Sequence, residues 1–341
     1  MKLNVMIRTL HPRNLFRISR AARGEVQNIF LQLSDQGVTG WGEASPNAFY
    51  DETARNVVSL LNDAASFAEG LNIETVADIE EAWAESWRWF APSRAAQCAF
   101  DLALWDWLAR KRGKTVCELA LGAPPHPVRT FCTIGISDEL ELQRKTGELN
   151  GFPLIKLKSD ALADLAPVAY VARKTGAKLA VDANCAWGEV NLREVSRELA
   201  QLGVLFIEQP LPPADDGLMP GCLAASVLPI MADESCVTRE DVERLPGRFS
   251  GFNLKLVKCG GLTPALAMAK RGRELGLTPM VGCMLESSLL IAAGIVAAQQ
   301  TDYADLDGAW LLGDDPFAGL TLNQGILRPD LRPGFGVEPE R

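Results

Sequence analysis

Three acidic residues recur at almost constant spacing. Asp182 lies in Val181-Asp182-Ala183-Asn184, Glu208 in Ile207-Glu208-Gln209-Pro210 and Asp233 in Ala232-Asp233-Glu234-Ser235, separated by 26 and then 25 residues. A single carboxylate after a short apolar run is an ordinary helix N-cap. Three in register repel one another unless a cation holds them, and an all-oxygen set suits a hard ion, Mg²⁺ above all. Lysines flank these carboxylates in the chain. Lys156 and Lys158 sit two apart in Leu154-Ile155-Lys156-Leu157-Lys158, and Lys255 and Lys258 follow in Lys255-Leu256-Val257-Lys258. Two amines on opposite sides of a metal-bound substrate can take a proton from one face of a carbon and return one to the other. The metal would stabilise the enediolate formed between the two steps. An unperturbed lysine, with a pKa near ~10.4, is a poor base at neutral pH. A second ammonium two residues away on the same strand face disfavours protonation, which gives Lys156 a purpose beside Lys158. A solvated edge strand is the ordinary setting for such lysines, but the apolar run and the facing Lys255 argue against it. Lys258 is expected on the opposite face, in a supporting role.

The elements that hold these residues follow a rhythm. Short apolar runs recur at roughly 25-residue intervals over 154–158, 179–182, 204–208, 230–233, 252–256 and 280–283, with helical segments between most of them. Repeated βα units predict a parallel sheet, and six or more without a dinucleotide glycine fingerprint favour a closed barrel. The polar residue ending each run then sits at the C-terminal mouth. Ahead of the Gly/Pro-rich stretch 122–127, the chain reads as α+β. Strands are expected at 3–8 and 28–32, with 38–43 as a hairpin arm after the turn 35–37, and helices at 51–68, 73–89 and 93–112. We therefore expect an α/β fold. An α+β domain is expected over 1–122, completed by the Pro/Gly-rich tail at about 315–341, and a barrel domain over 123–314.

Composition narrows the function. The 341 residues carry a net charge of −9 with no basic block, so nucleic acid is a poor partner. Residues 1–10 lack a long apolar stretch, and no window resembles a membrane span. Eight scattered cysteines with no C-x-x-C pair read as reduced cytoplasmic thiols. The two histidines, His11 and His126, leave few places for imidazole chemistry. A small-molecule substrate is expected, and a homo-oligomer is compatible with this chain.

Taken together, the motifs at 156–158, 181–184, 207–210, 232–235 and 255–261, with Ala99-Phe100-Asp101-Leu102-Ala103-Leu104-Trp105-Asp106, resemble the enolase superfamily in its muconate-lactonizing-enzyme subgroup. The resemblance covers nearly the whole chain. It implies a modified (β/α)7β-type TIM barrel with an α+β capping domain. It also implies Asp182, Glu208 and Asp233 as metal ligands, and Lys158 and Lys255 as the acid/base pair with Lys156 beside them. Within the subgroup, Tyr303-Ala304-Asp305-Leu306-Asp307-Gly308 resembles the D-x-D of dipeptide epimerases, which holds the substrate's free α-ammonium group; paired carboxylates suit a cation. Arg23, with Arg20 second, matches the place where L-Ala-D/L-Glu epimerases carry an arginine for the glutamate side chain. Met284 is expected to line the pocket with Asn184, and Glu286 and Glu234 to support the site. The second capping loop, 45–53, departs from the usual Pro-x-x-Tyr-Gly-Glu form, which leaves the dipeptide open. These features imply a Mg²⁺-dependent dipeptide epimerase of peptidoglycan peptide metabolism. N-acylamino acid racemase, o-succinylbenzoate synthase and cycloisomerase are the nearest alternatives, and a non-catalytic binding protein is the alternative outside catalysis.

Overall fold

The computed structural model describes residues 1–19 and 21–340. The chain opens with an antiparallel sheet in which Val26–Asp35 runs between Lys2–Leu10 and Val38–Ala44. Gln36 and Gly37, both at positive φ (53° and 78°), make the two-residue turn that matches the strand twist. The long helix Arg94–Arg112 lies across Val38–Ala44. Two glycines permit this close approach: a Cβ at Gly42 would sit 1.8 Å from the carbonyl oxygen of Ala99, and one at Gly40 2.3 Å from that of Ala103. The helix is buried without a break from Ala95 to Ala109, as its Ala/Leu/Trp content on every face requires. Ser93 caps its start and Gly113, in the left-handed region, its end.

The second part is a barrel. Eight parallel strands follow in ring order: Cys132–Ile134, Leu154–Lys158, Lys178–Asp182, Val204–Glu208, Ile230–Ala232, Gly251–Lys255, Thr278–Gly282 and Tyr303–Asp305. The first and last meet through Phe131 N–H donating to Ala304 O at 2.8 Å. Helical segments follow the first seven strands, and only the four-residue helix Gly308–Leu311 follows the eighth. Strand side chains alternate, so inward residues come every second position. Phe131, Ala180, Phe206, Met231 and Met280 fill the floor, with Phe131, Phe206 and Tyr303 in mutual ring contact. Two residues above members of that apolar layer stand Thr133, Asp182, Glu208, Asp233 and Asp305. The polar ring at the mouth is thus the next layer over the apolar floor.

The two parts are joined by buried carboxylates. Glu43 accepts hydrogen bonds from Ser287 N (3.0 Å), Ser287 Oγ (2.5 Å) and Leu290 N (3.2 Å) at the start of the helix Ser288–Ala298. Asp101 accepts from Thr263 N (3.0 Å) and Thr263 Oγ1 (2.6 Å) at the start of Leu262–Glu274. Each satisfies orphan N–H groups at the positive end of a barrel helix. The tail returns to the first part: Phe317 stacks on Phe30 at 5.5 Å, Phe335 N donates to Asp106, and Arg110 pairs with Glu338.

Several boundaries differ from the sequence expectation. The helix expected over 51–68 is two, Ala54–Asp63 and Ala65–Gly70, broken at Ala64. The fifth barrel strand stops at Ala232, so Asp233 lies just beyond it. The first barrel strand, three residues long, was not anticipated from the pattern. Phe16–Ile18 pairs with Ala21–Arg23 in a small antiparallel hairpin that the pattern does not mark. Among the described residues all eight cysteines are free, and no helix is long and apolar enough to cross a membrane.

Candidate active site

Strand register assembles the acidic cluster. Asp182 pairs with Glu208 across the third and fourth strands, and Lys158 pairs with Asp182 across the second and third. One carboxylate oxygen from each of Asp182, Glu208 and Asp233 lies within 4.8 Å of the others, and all three residues are buried. Lys158 Nζ meets Asp182 Oδ2 at 2.5 Å. Lys255, at the end of the sixth strand and so four strands from Lys158 in the ring of eight, meets Asp233 Oδ2 at 2.8 Å. The two amines therefore approach the cluster from opposite sides.

Lys156 lies one pleat below Lys158 and is buried. It contacts Asp305 Oδ2, with Glu208 Oε2 at 3.1 Å and Asp182 Oδ2 at 3.7 Å. Those anions hold its ammonium far above the usual lysine range despite burial, with Asp305 the strongest. The sequence expectation gave Lys156 the task of perturbing Lys158; the geometry gives it several carboxylates to balance. Its charge is also felt across the barrel at Lys255, although Asp233 still raises that group. Lys258, expected on the far face of a strand, instead sits on the single turn Leu256–Cys259. From there its Nζ reaches back to Asp233 Oδ1 (2.6 Å), Asp233 O (2.6 Å) and Asn253 O (2.9 Å), fixing that carboxylate from below.

The donor set fits a divalent cation on its own electrostatics. Burial and the neighbouring Asp182 carboxylate push Glu208 up to about 7, even with Lys156 at hand. Three hard carboxylate oxygens converge within 4.8 Å, the donor type and number around which a divalent cation such as Mg²⁺ assembles its shell. Asn253 Nδ2 donates to Glu208 Oε1 at 2.7 Å and Asn184 N to Asp182 Oδ1 at 2.8 Å, so the ligand oxygens are oriented by neighbours.

The cavity above the cluster is lined by the expected Lys156, Lys158, Asn184, Asp233, Glu234, Lys255, Met284, Asp305, Asp307 and Arg23. Asp182 and Glu208 lie beneath the lysines rather than on its wall. Asp305 ends the eighth strand and Asp307 follows it. Thr133, on the first strand, donates its N–H to Asp307 Oδ2 (2.6 Å) and its hydroxyl to Asp305 Oδ1 (3.3 Å). Burial and the Asp305 charge push Asp307 up to about 7, so a cation entering here is favoured. Arg23 ends the small hairpin, and its Nη2 reaches Asn47 Oδ1 at 3.4 Å; Asn47 Nδ2 in turn faces Met284 Sδ at 3.6 Å. Arg20 lies outside the described residues. Glu286 accepts from Met284 N at 2.9 Å and is pushed by burial up to about 8.

Sequence reasoning overlooked four of these participants. Thr133 belongs to the short strand that the pattern did not reveal. Asn253 stands two residues before Lys255, and period two could have placed it on the same inward face. Asn47 and Glu43 act through contacts remote in sequence, which no local pattern carries.

Residues 2–122 match the mandelate racemase/muconate lactonizing enzyme N-terminal domain, and residues 140–341 match the enolase C-terminal domain-like family. The chain is 36% identical over 337 residues to an L-Ala-D/L-amino acid epimerase of Flavobacterium johnsoniae, covering 99% of each. It is 36% identical over 316 residues to the L-Ala-D/L-Glu epimerase of Escherichia coli K12, covering 92% of this chain and 94% of that one. A solved structure of the dipeptide epimerase from Enterococcus faecalis V583, complexed with Mg and L-Leu-L-Tyr, superposes with a TM-score of 0.90 at 27% identity and covers 98% of both chains.

Proposed function

The chain belongs to the enolase superfamily, in its mandelate racemase/muconate lactonizing enzyme branch, and we propose that within it the protein is a Mg²⁺-dependent dipeptide epimerase that inverts the α-carbon of the C-terminal residue. The observation that carries this reading is the placement of Lys158 and Lys255. They end strands on opposite sides of the barrel, each against a different carboxylate of one acidic cluster, beneath a cavity walled by Asp305 and Asp307.

Asp182, Glu208 and Asp233 would hold the ion. When bound, Mg²⁺ supplies positive charge next to the substrate carboxylate, which lowers the cost of removing the α-proton. Lys158, as the free amine, takes that proton from one face, and Lys255, as the ammonium, returns one to the other. Lys258 and Asn253 keep Asp233 and Glu208 oriented, so the lysines meet a fixed target. The free α-ammonium of the dipeptide pairs with Asp305 and Asp307, held in place by Thr133. A substrate with a blocked amine gains nothing there, which argues against an N-acylamino acid racemase. Arg23 offers a cation to the C-terminal side chain, and this favours glutamate, as in L-Ala-D/L-Glu. A peptidoglycan-derived dipeptide handled in the cytoplasm fits that substrate.

The test is incubation of the Mg²⁺-loaded protein with L-Ala-L-Glu in D₂O. We expect deuterium at the glutamate α-carbon and accumulation of L-Ala-D-Glu, read by proton NMR. Absence of both, across a library of L-Ala dipeptides, would overturn the reading.

A further inference from the structure

The active-site cavity is narrow, about 100 Å³, while a second cavity of about 420 Å³ adjoins it. The two share Phe16, Thr133 and Leu311 as common walls. Thr133 is also the residue that holds Asp305 and Asp307. The wall between the cavities therefore stands beside the carboxylates assigned to the substrate's α-ammonium. The carbon bearing that ammonium is one bond away, so its side chain starts beside this wall.

The lining of the second cavity decides what it takes. Leu15, Phe16, Ile134, Leu149, Trp310 and Leu311 present apolar surface. Its cations are already engaged. Arg13 Nε donates to Leu312 O at 2.8 Å, Arg144 pairs with Glu148 and Asn14, and Lys145 meets Glu141 at 3.1 Å. At Arg144 and Lys145 an acidic side chain would have to compete with Glu148 and Glu141, whereas an apolar one gains by leaving water along the rest of the lining.

Resting on the dipeptide reading above, we propose that this second cavity is the subsite for the N-terminal residue of the substrate, and that it accepts a large aliphatic or aromatic side chain. The chain is then not restricted to alanine at that position.

The test holds the C-terminal residue at the one preferred in L-Ala dipeptides and varies the N-terminal residue among Ala, Leu, Phe and Glu. Expected is a kcat/KM for the Leu or Phe dipeptide at least equal to that for Ala, with the Glu dipeptide tenfold or more below. Leu15→Trp, at an exposed position on the second cavity alone, should lower kcat/KM for the Leu dipeptide at least tenfold more than for the Ala dipeptide. A hundredfold preference for Ala in the wild-type protein overturns the proposal with no variant needed. A preference for Glu, or an equal loss on both substrates in Leu15→Trp, overturns it as well. If no L-Ala dipeptide is epimerised, the functional reading itself has failed, a result separable from a strict alanine preference.

Discussion

Lys158 and Lys255 end the second and sixth strands of an eight-strand ring, and their amines meet Asp182 and Asp233 at 2.5 and 2.8 Å. A carbon held over that cluster has one amine on each face. Lys158→Ala and Lys255→Ala should each lower kcat for epimerisation by about 10²–10⁴, the usual worth of a positioned acid or base. Rates from the L,L and L,D dipeptides, with α-deuterium incorporation in D₂O, give the measurement. Wild-type turnover in either variant would remove the two-base scheme.

The cluster should bind Mg²⁺ before any substrate arrives. Ligation of the folded state alone stabilises it, by about 2.7 kcal/mol at a free concentration a hundred times Kd. After treatment with EDTA, returning Mg²⁺ should raise Tm by several degrees. Asp182→Asn and Glu208→Gln should flatten that response and abolish activity. A Mg²⁺ response unchanged in both variants would place the ion elsewhere.

On the dipeptide reading, Asp307 should separate substrates with a free amine from blocked ones. Asp307→Asn keeps an acceptor for the Thr133 N–H but removes a charge facing the ammonium. One charge-assisted hydrogen bond of about 1.5–3 kcal/mol predicts a fall in kcat/KM of about 10- to 100-fold on the dipeptide. Asp305 is a less clean probe, because it also holds Lys156. N-acetyl and N-succinyl amino acids should be poor substrates for the wild type and gain nothing from the change. Robust racemisation of an N-acyl amino acid, indifferent to Asp307, would favour the N-acylamino acid racemase alternative.

Much of the barrel was legible because its code is local. Six strands are short apolar runs, and five of them end at, or one residue before, a polar side chain that reaches the mouth, so Asp182, Glu208, Asp233, Lys158 and Lys255 could be placed by counting. Cys132–Ile134 escaped because three residues after a proline-rich stretch carry no periodicity, and Thr133 escaped with it. Lys258 was misplaced because the strand was extended past Lys255, where the chain in fact turns into a helix. Lys156 was assigned a base-tuning task from its spacing to Lys158. Its partner Asp305 lies 149 residues away in sequence and reaches it only when the ring closes. The hydrogen bonds that Glu43 and Asp101 accept from barrel helices are equally remote and leave no trace in any window.

Glu43 makes that remote joint testable. It is fully buried, and burial pushes its carboxyl from 4.5 up to about 7, even against the hydrogen bonds from Ser287 and Asn28. The folded state therefore binds this proton more tightly than the unfolded state. Between about pH 4.5 and 7 the unfolded chain releases it and the folded chain keeps it, so stability falls as pH rises through this window. Above pH 7 the penalty is fully present and no longer grows. Its full size is on the order of 3 kcal/mol. Glu43→Gln keeps an acceptor for Ser287 N and cannot ionise. Relative to wild type, the variant should therefore gain stability from pH 5 to pH 8, read as a growing difference in urea midpoint. Asp101 and Glu286 also titrate high through burial, so the difference between the two proteins is the informative quantity rather than either curve alone. Parallel curves across that range would mean that Glu43 is already ionised at pH 5 and binds the barrel helix as a charged cap.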